Sequence, residues 1–85
     1  MQTMHNRQPS KTKRRILGMI LRLRREDCGL RQGEVARAIG ISQSNLSKLE
    51  RGQLADVKLF QHLIPLAELY GVDIESLLRY GDLKV

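Results

Sequence analysis

QGEVARAIGISQSNLSKL, residues 32–49, is the stretch around which this 85-residue chain is organised. Val35, Ala36 and Ile39 stand three and four apart, which places them on one helical face. Gly40 ends that pattern, because glycine takes a left-handed turn conformation at little steric cost. Ile41 is apolar, and Ser42 is a good N-cap for a second helix. In that second helix Leu46 and Leu49 make the inner face and leave Gln43, Ser44, Ser47 and Lys48 outside. Ala36 is small enough for the second helix to cross close to the first. The pattern predicts two short helices joined by a tight turn, the second running from about Gln43 to Arg51 and stopping at Gly52.

Upstream, residues 1–10 are polar, contain Pro9 and show no apolar periodicity, so they are expected to form a flexible N-terminal arm. Ser10 is placed to cap a first helix from about Lys11 to Asp27, with Leu17, Ile20, Leu21 and Cys28 facing inward and Gly29 ending it. Cys28 reads as a small core hydrophobe. Arg14, Arg15, Arg22 and Arg25 are expected at or near the surface. The helix that opens the organising stretch starts near Arg31 or Gln32. Arg31 is a poor cap, but Glu34 can reach back to its backbone as half of a capping box. Gly33 weakens this helix by about 1 kcal/mol relative to alanine.

Downstream, Asp56 is expected to cap a fourth helix with Val57, Phe60, Leu63, Ile64, Ala67 and Tyr70 facing inward. Pro65 removes a hydrogen bond and clashes with the preceding turn, so either one helix kinks there or a short turn precedes a new helix that starts there; the preferred reading is one kinked helix, ending at Gly71. Asp73 then caps a fifth helix from Ile74 to about Tyr80 that buries Leu77. The domain is expected to span 11–80, with 81–85 as a C-terminal tail.

Charge is distributed unevenly. Residues 1–25 carry eight Lys or Arg and no acid, a net +8, whereas 26–85 carry −2, together the formal +6 of the chain. A positive N-terminal third suits a polyanion such as nucleic acid, and Arg14 and Arg15 are its candidate phosphate contacts. The single cysteine excludes an internal disulfide and points to a cytoplasmic setting. No apolar run approaches the roughly 20 residues of a membrane span, so no membrane association is expected. His5 and His62 have no metal-ligand pattern near them, and His62 reads as a helix-surface residue. With no nucleophile motif and no phosphate-cradling glycine loop, the chain does not read as an enzyme. Neither a cofactor nor a metal is called for.

Gln32 opening the first helix of the pair, Ala36 four later, Gly40 in the turn, Leu46 and Leu49 as later anchors, and LSKLERG over 46–52 together resemble the helix-turn-helix of the phage repressor and Cro family. The resemblance runs from about Leu17 to Leu78. It implies an all-α fold, a compact five-helix bundle of the phage repressor DNA-binding domain type with a central helix-turn-helix. In such pairs the second helix lies in the DNA major groove. The positions of Gln43, Ser44 and Ser47 then read bases. A glutamine amide offers a donor and an acceptor to an adenine edge, and Lys48 can reach a guanine or a phosphate. The resemblance also implies that Gln32 binds phosphate and braces the first base-reading side chain, and that Glu50 pairs with Arg25 of the first helix. Arg31, Asn45 and Arg51 are further candidate phosphate contacts at the edges of the motif.

The function expected is a sequence-specific regulator of transcription on double-stranded DNA, a repressor acting as a homodimer on a palindromic operator. Tyr80, Leu83 and Val85 are the expected dimer surface. The alternative is an antitoxin or other protein-interaction module that masks a partner protein, a toxin or co-regulator, and regulates its own operon.

Overall fold

The computed structural model describes residues 11–81, with side chains described through Arg79. The expected arm over 1–10, the Ser10 cap and the tail with Leu83 and Val85 lie outside the described residues, as does the side chain of Tyr80. Five α-helices follow one another: α1 Lys11–Asp27, α2 Gln32–Ile39, α3 Gln43–Glu50, α4 Ile64–Tyr70 and α5 Ile74–Gly81. A π-helical turn, Leu59–Leu63, runs directly into α4. No strand occurs among the described residues, and none of their helices is long and apolar enough to cross a membrane.

Through α3 the core is built from the faces that the spacing marks out. Leu17 and Leu21 of α1, Val35 and Ala36 of α2, and Leu46 and Leu49 of α3 are buried, and Leu63, Leu66, Ala67, Tyr70 and Leu77 close the other side. The α2–α3 turn is set locally. Gly40 lies at φ 76°, and the Ile41 N–H donates to Ala36 O at 3.0 Å, which satisfies a carbonyl left open at the helix end. Ser42 Oγ accepts the Asn45 N–H at 3.0 Å. At the start of α2 the Arg31 N–H donates to Glu34 Oε1 at 2.7 Å, the half of a capping box that an arginine cap allows.

One glycine makes a contact that periodicity does not show. Gly18 is buried in α1 where a Cβ would meet Leu49 O and stand 2.5 Å from Glu50 O. The α1 and α3 backbones therefore touch, and only a residue without a side chain fits between them.

The segment before α4 departs from expectation. No helix starts at Asp56; Lys58 is the N-cap of the π-helical turn, and the Leu63 N–H reaches Lys58 O at 3.2 Å, five residues back. The wider turn places Pro65, which has no N–H to lose, in the first turn of α4, where it is tolerated. It also rotates the register. Phe60, expected inside, is 79% exposed, and Leu66 takes a core position instead. His62, expected on the surface, is buried, and its Nδ1 accepts the Lys58 N–H at 2.9 Å. It supplies the cap that Asp56 was expected to provide. Burial holds its pKa below the usual histidine value, with Lys58 acting in the same direction and Asp56 against it.

Cys28, expected to face inward, does not. It is exposed, because α1 ends at Asp27 and the chain reverses at Gly29, leaving Cys28 on the outside of the turn. Arg25, one helical turn earlier, takes the inward position and is buried.

Candidate nucleic-acid interface

The outer face of α3 follows from its inner one. With Leu46 and Leu49 buried, Gln43, Ser44, Asn45 and Lys48 are exposed and Ser47 is half-buried. These side chains form one polar surface over the first two turns of the helix. Gln43 leans over the start of α2: its Oε1 stands 3.4 Å from where a Cβ on Gly33 would lie. The glycine that weakens α2 thus leaves room for the first side chain of α3.

Arg25 and Glu50 set the position of α3 relative to α1 and α2. Arg25 Nε donates to Glu50 Oε2 at 2.6 Å and its Nη2 to Glu50 Oε1 at 3.0 Å, a two-point pairing. Arg25 Nη1 donates to Leu30 O at 2.9 Å, which ties in the turn before α2. Gln32 Nε2 donates to Glu50 Oε1 at 2.9 Å. One carboxylate therefore joins the end of α3 to the end of α1 and the start of α2. The pairing with Glu50 raises the arginine pKa further, against the cost of burial. Among the described residues, the nearby Tyr70 hydroxyl is buried with no hydrogen-bond partner. Its pKa is pushed well up, first by burial and then by the charge of Glu50.

The Gln32 amide nitrogen thus faces Glu50, while its neighbour Arg31 is exposed. Arg51 is exposed just past α3, its Nε turned back to Ser47 O at 3.3 Å. Arg14 and Arg15 stand further off, on the first turns of α1, and meet Arg51 across a cleft. Among the described residues no group of three or more His, Cys, Asp or Glu is placed to hold a metal ion.

Gly18 and His62 were missed from sequence. A glycine inside a helical pattern is the signal that finds the first. For His62, the only signal is its spacing of four from Lys58 at a helix start.

A family model described as a helix-turn-helix domain matches residues 16–79. No curated protein matches the sequence. Among solved structures, the clp gene regulator ClgR from Corynebacterium glutamicum is 32% identical, with a TM-score of 0.68 over 80% of this chain and 86% of that one. The restriction-modification controller protein C.AhdI from Aeromonas hydrophila is 28% identical, with a TM-score of 0.70 over 79% and 94%. The N-terminal DNA-binding domain of SinR from Bacillus subtilis is 25% identical, with a TM-score of 0.66 over 75% and 91%.

Proposed function

Because this chain belongs to the helix-turn-helix domain family, alongside regulators of the phage repressor and Cro type, we propose that it is a sequence-specific double-stranded DNA-binding regulator of transcription. It acts in the cytoplasm as a repressor, as a homodimer on a palindromic operator. The observation that carries this reading is the exposed row on α3 held at the α2 N-terminus by the Arg25–Glu50–Gln32 network. Gln43, Ser44, Ser47 and Lys48 read base edges; Gln32, Arg31, Asn45, Arg51, Arg14 and Arg15 hold phosphates. Residues 11–80 form the DNA-binding domain, with 1–10 as an arm and 81–85 as a tail. A two-fold dimer presents two such helices about one DNA turn apart, roughly 34 Å.

Selection of bound duplexes from a random pool tests the reading directly, with Gln43→Ala as its control. On the selected site Gln43→Ala should lose about 1–3 kcal/mol and relax selectivity at one base position per half-site. Binding to scrambled duplex should hardly change, because a neutral amide displaces no counterions. Equal weakening on both duplexes would remove Gln43 as a base reader. Sedimentation showing a monomer both free and on the selected site would remove the dimer.

A second reading, docking to a protein partner, has one observation in its favour. Ile16, Met19 and Leu23 form an exposed apolar row along α1, at the three- and four-residue spacing of a helix-binding face.

A further inference from the structure

The outer face of α1 joins apolar surface to positive charge. Ile16, Met19 and Leu23 are 43%, 57% and 50% exposed, so the domain's own core leaves about half of each uncovered. At 3.6 residues per turn they share one stripe. Cations border that stripe on both sides: at the same period Arg22 lies along one edge, and Lys13 and Arg24 along the other. The two acids of α1, Glu26 and Asp27, stand at its C-terminal end. Arg22 meets Glu26 at 3.4 Å between successive turns, an exposed contact that a closer carboxylate can replace at little cost. Among the described residues, Arg24 is in no ion pair.

The apolar surface does not stop at the stripe. Ile20, one turn on from Ile16, is half-buried. With Arg24 it forms the α1 wall of a groove of about 310 Å³, and Val72, Asp73 and Leu77 line the side toward α5. Ile20 therefore carries the stripe into a recess open to a side chain from outside. This face also points away from α3. Gly18 and Arg25 mark the side of α1 that meets α3, and Ile16 and Leu23 lie about 140–180° round the helix from them.

We propose that this face docks an acidic amphipathic helix of a partner protein. It rests on the docking reading above and fixes the partner's charge. The partner's apolar side chains cover Ile16, Met19 and Leu23, one of them entering the groove beside Ile20, and its carboxylates meet Lys13, Arg22 and Arg24. Apolar anchors at three- and four-residue spacing supply the contact area, and charge decides which helix fits. An incoming helix edged with carboxylates is steered in and paired, whereas one edged with cations meets like charge on both sides. The same rule disfavours a second copy of this chain, because two such faces would set cations against cations. Since the face is turned from α3, a bound partner leaves the outer row of α3 open. The partner therefore rides on the protein–DNA complex instead of displacing the DNA.

Selection from a display library of helical peptides tests this, with the full chain as target. The peptides are about 18 residues long, enough to be helical alone, and any charge is allowed beside their apolar positions. Counter-selection uses the double variant Met19→Gln/Leu23→Gln, both positions being exposed, after its unfolding midpoint is checked against wild type. Enriched peptides should carry large apolar residues at helical spacing bordered by Asp and Glu. The best of them should bind that variant at least about tenfold more weakly. It should bind Arg22→Gln/Arg24→Gln about threefold more weakly, a difference that shrinks as salt rises. Enrichment of neutral or basic edges overturns the acidic partner and leaves the docking reading standing. No enrichment over Met19→Gln/Leu23→Gln overturns both. Binding to vesicles of phosphatidylglycerol and phosphatidylcholine, with no peptide enriched, overturns the proposal in favour of a membrane surface. Self-association of the free chain that Met19→Gln/Leu23→Gln abolishes gives the face to a second copy and overturns it too. Displacement of a bound duplex by the selected peptide would overturn the joint occupancy.

Discussion

Replacing Gly18 by alanine should destabilise this domain, although alanine is the better helix former. Two effects oppose each other. In an ordinary helix interior the change gains about 1 kcal/mol. Here the new Cβ would meet Leu49 O, lie 2.5 Å from Glu50 O and lie 2.8 Å from the Glu50 carbonyl carbon. A comfortable C···O approach is about 3.3–3.6 Å, so α1 and α3 must part by roughly 1 Å. The atoms that must give way are backbone, which cannot rotate aside. Overpacking of this kind typically costs about 1–3 kcal/mol. Parting the helices also stretches the Arg25–Glu50 pairing, whose shorter arm is 2.6 Å. Because backbone must move and the pair is stretched, the cost lies in the upper part of that range, about 2–3 kcal/mol. The clash wins, for a net loss of about 1–2 kcal/mol, or roughly 5–15 °C in the unfolding midpoint of a domain this small. Gly33→Ala is the internal control. Its nearest neighbour would be Gln43 Oε1 at 3.4 Å, the end of a flexible side chain, so it should stabilise by about 0.5–1 kcal/mol. Urea and thermal unfolding followed by far-ultraviolet circular dichroism measure both. If Gly18→Ala matched or exceeded wild type, the close crossing of α1 and α3 would be wrong.

Further outcomes follow from the buried polar groups. Glu50→Gln should cost about 3–5 kcal/mol, because it leaves the Arg25 guanidinium buried without its counter-charge; a shift below about 1 kcal/mol in urea unfolding would show the pair to be solvent-screened. His62 must be neutral to accept the Lys58 N–H, and its folded pKa lies below 6.5. Between the two pKa values the unfolded chain binds more protons, so stability should fall as pH drops below about 6.5 toward the folded value. Unfolding midpoints of wild type and His62→Gln across pH 5–8 check this, and equal slopes for the two proteins would refute it. Leu46→Asp, at a fully buried position, should abolish cooperative unfolding, because an unpaired buried charge costs several kcal/mol; a stable, cooperative mutant would remove Leu46 from the core.

Sequence alone determined the all-α fold and four of the helices, because their signals are local. Val35, Ala36, Leu46 and Leu49 recur at the helical period, Gly40 and Ser42 bound the turn between α2 and α3, and Lys11–Asp27 shows an apolar stripe with a glycine after it. The polar residues on the outside of α3 follow from the same period, since burying two leucines exposes the rest. What those residues touch depends on a partner surface, which helical period does not encode. The tertiary structure decided most of what depends on segments far apart in the chain. Arg25 and Glu50 are 25 residues apart; the resemblance implied their pairing, but only the fold adds Gln32 and makes the carboxylate a junction of three helices. Gly18 matters because α3 passes over it; a glycine inside a helical pattern marks the position, but not which backbone lies against it. The turn before α4 widened because Pro65 has no N–H and His62 could supply a cap, which sent Phe60 out and brought Leu66 in. The basic cleft exists because Gly52 rests on the backbone of Arg15. Helical period is written in neighbouring residues, whereas close approach is decided by which backbones meet.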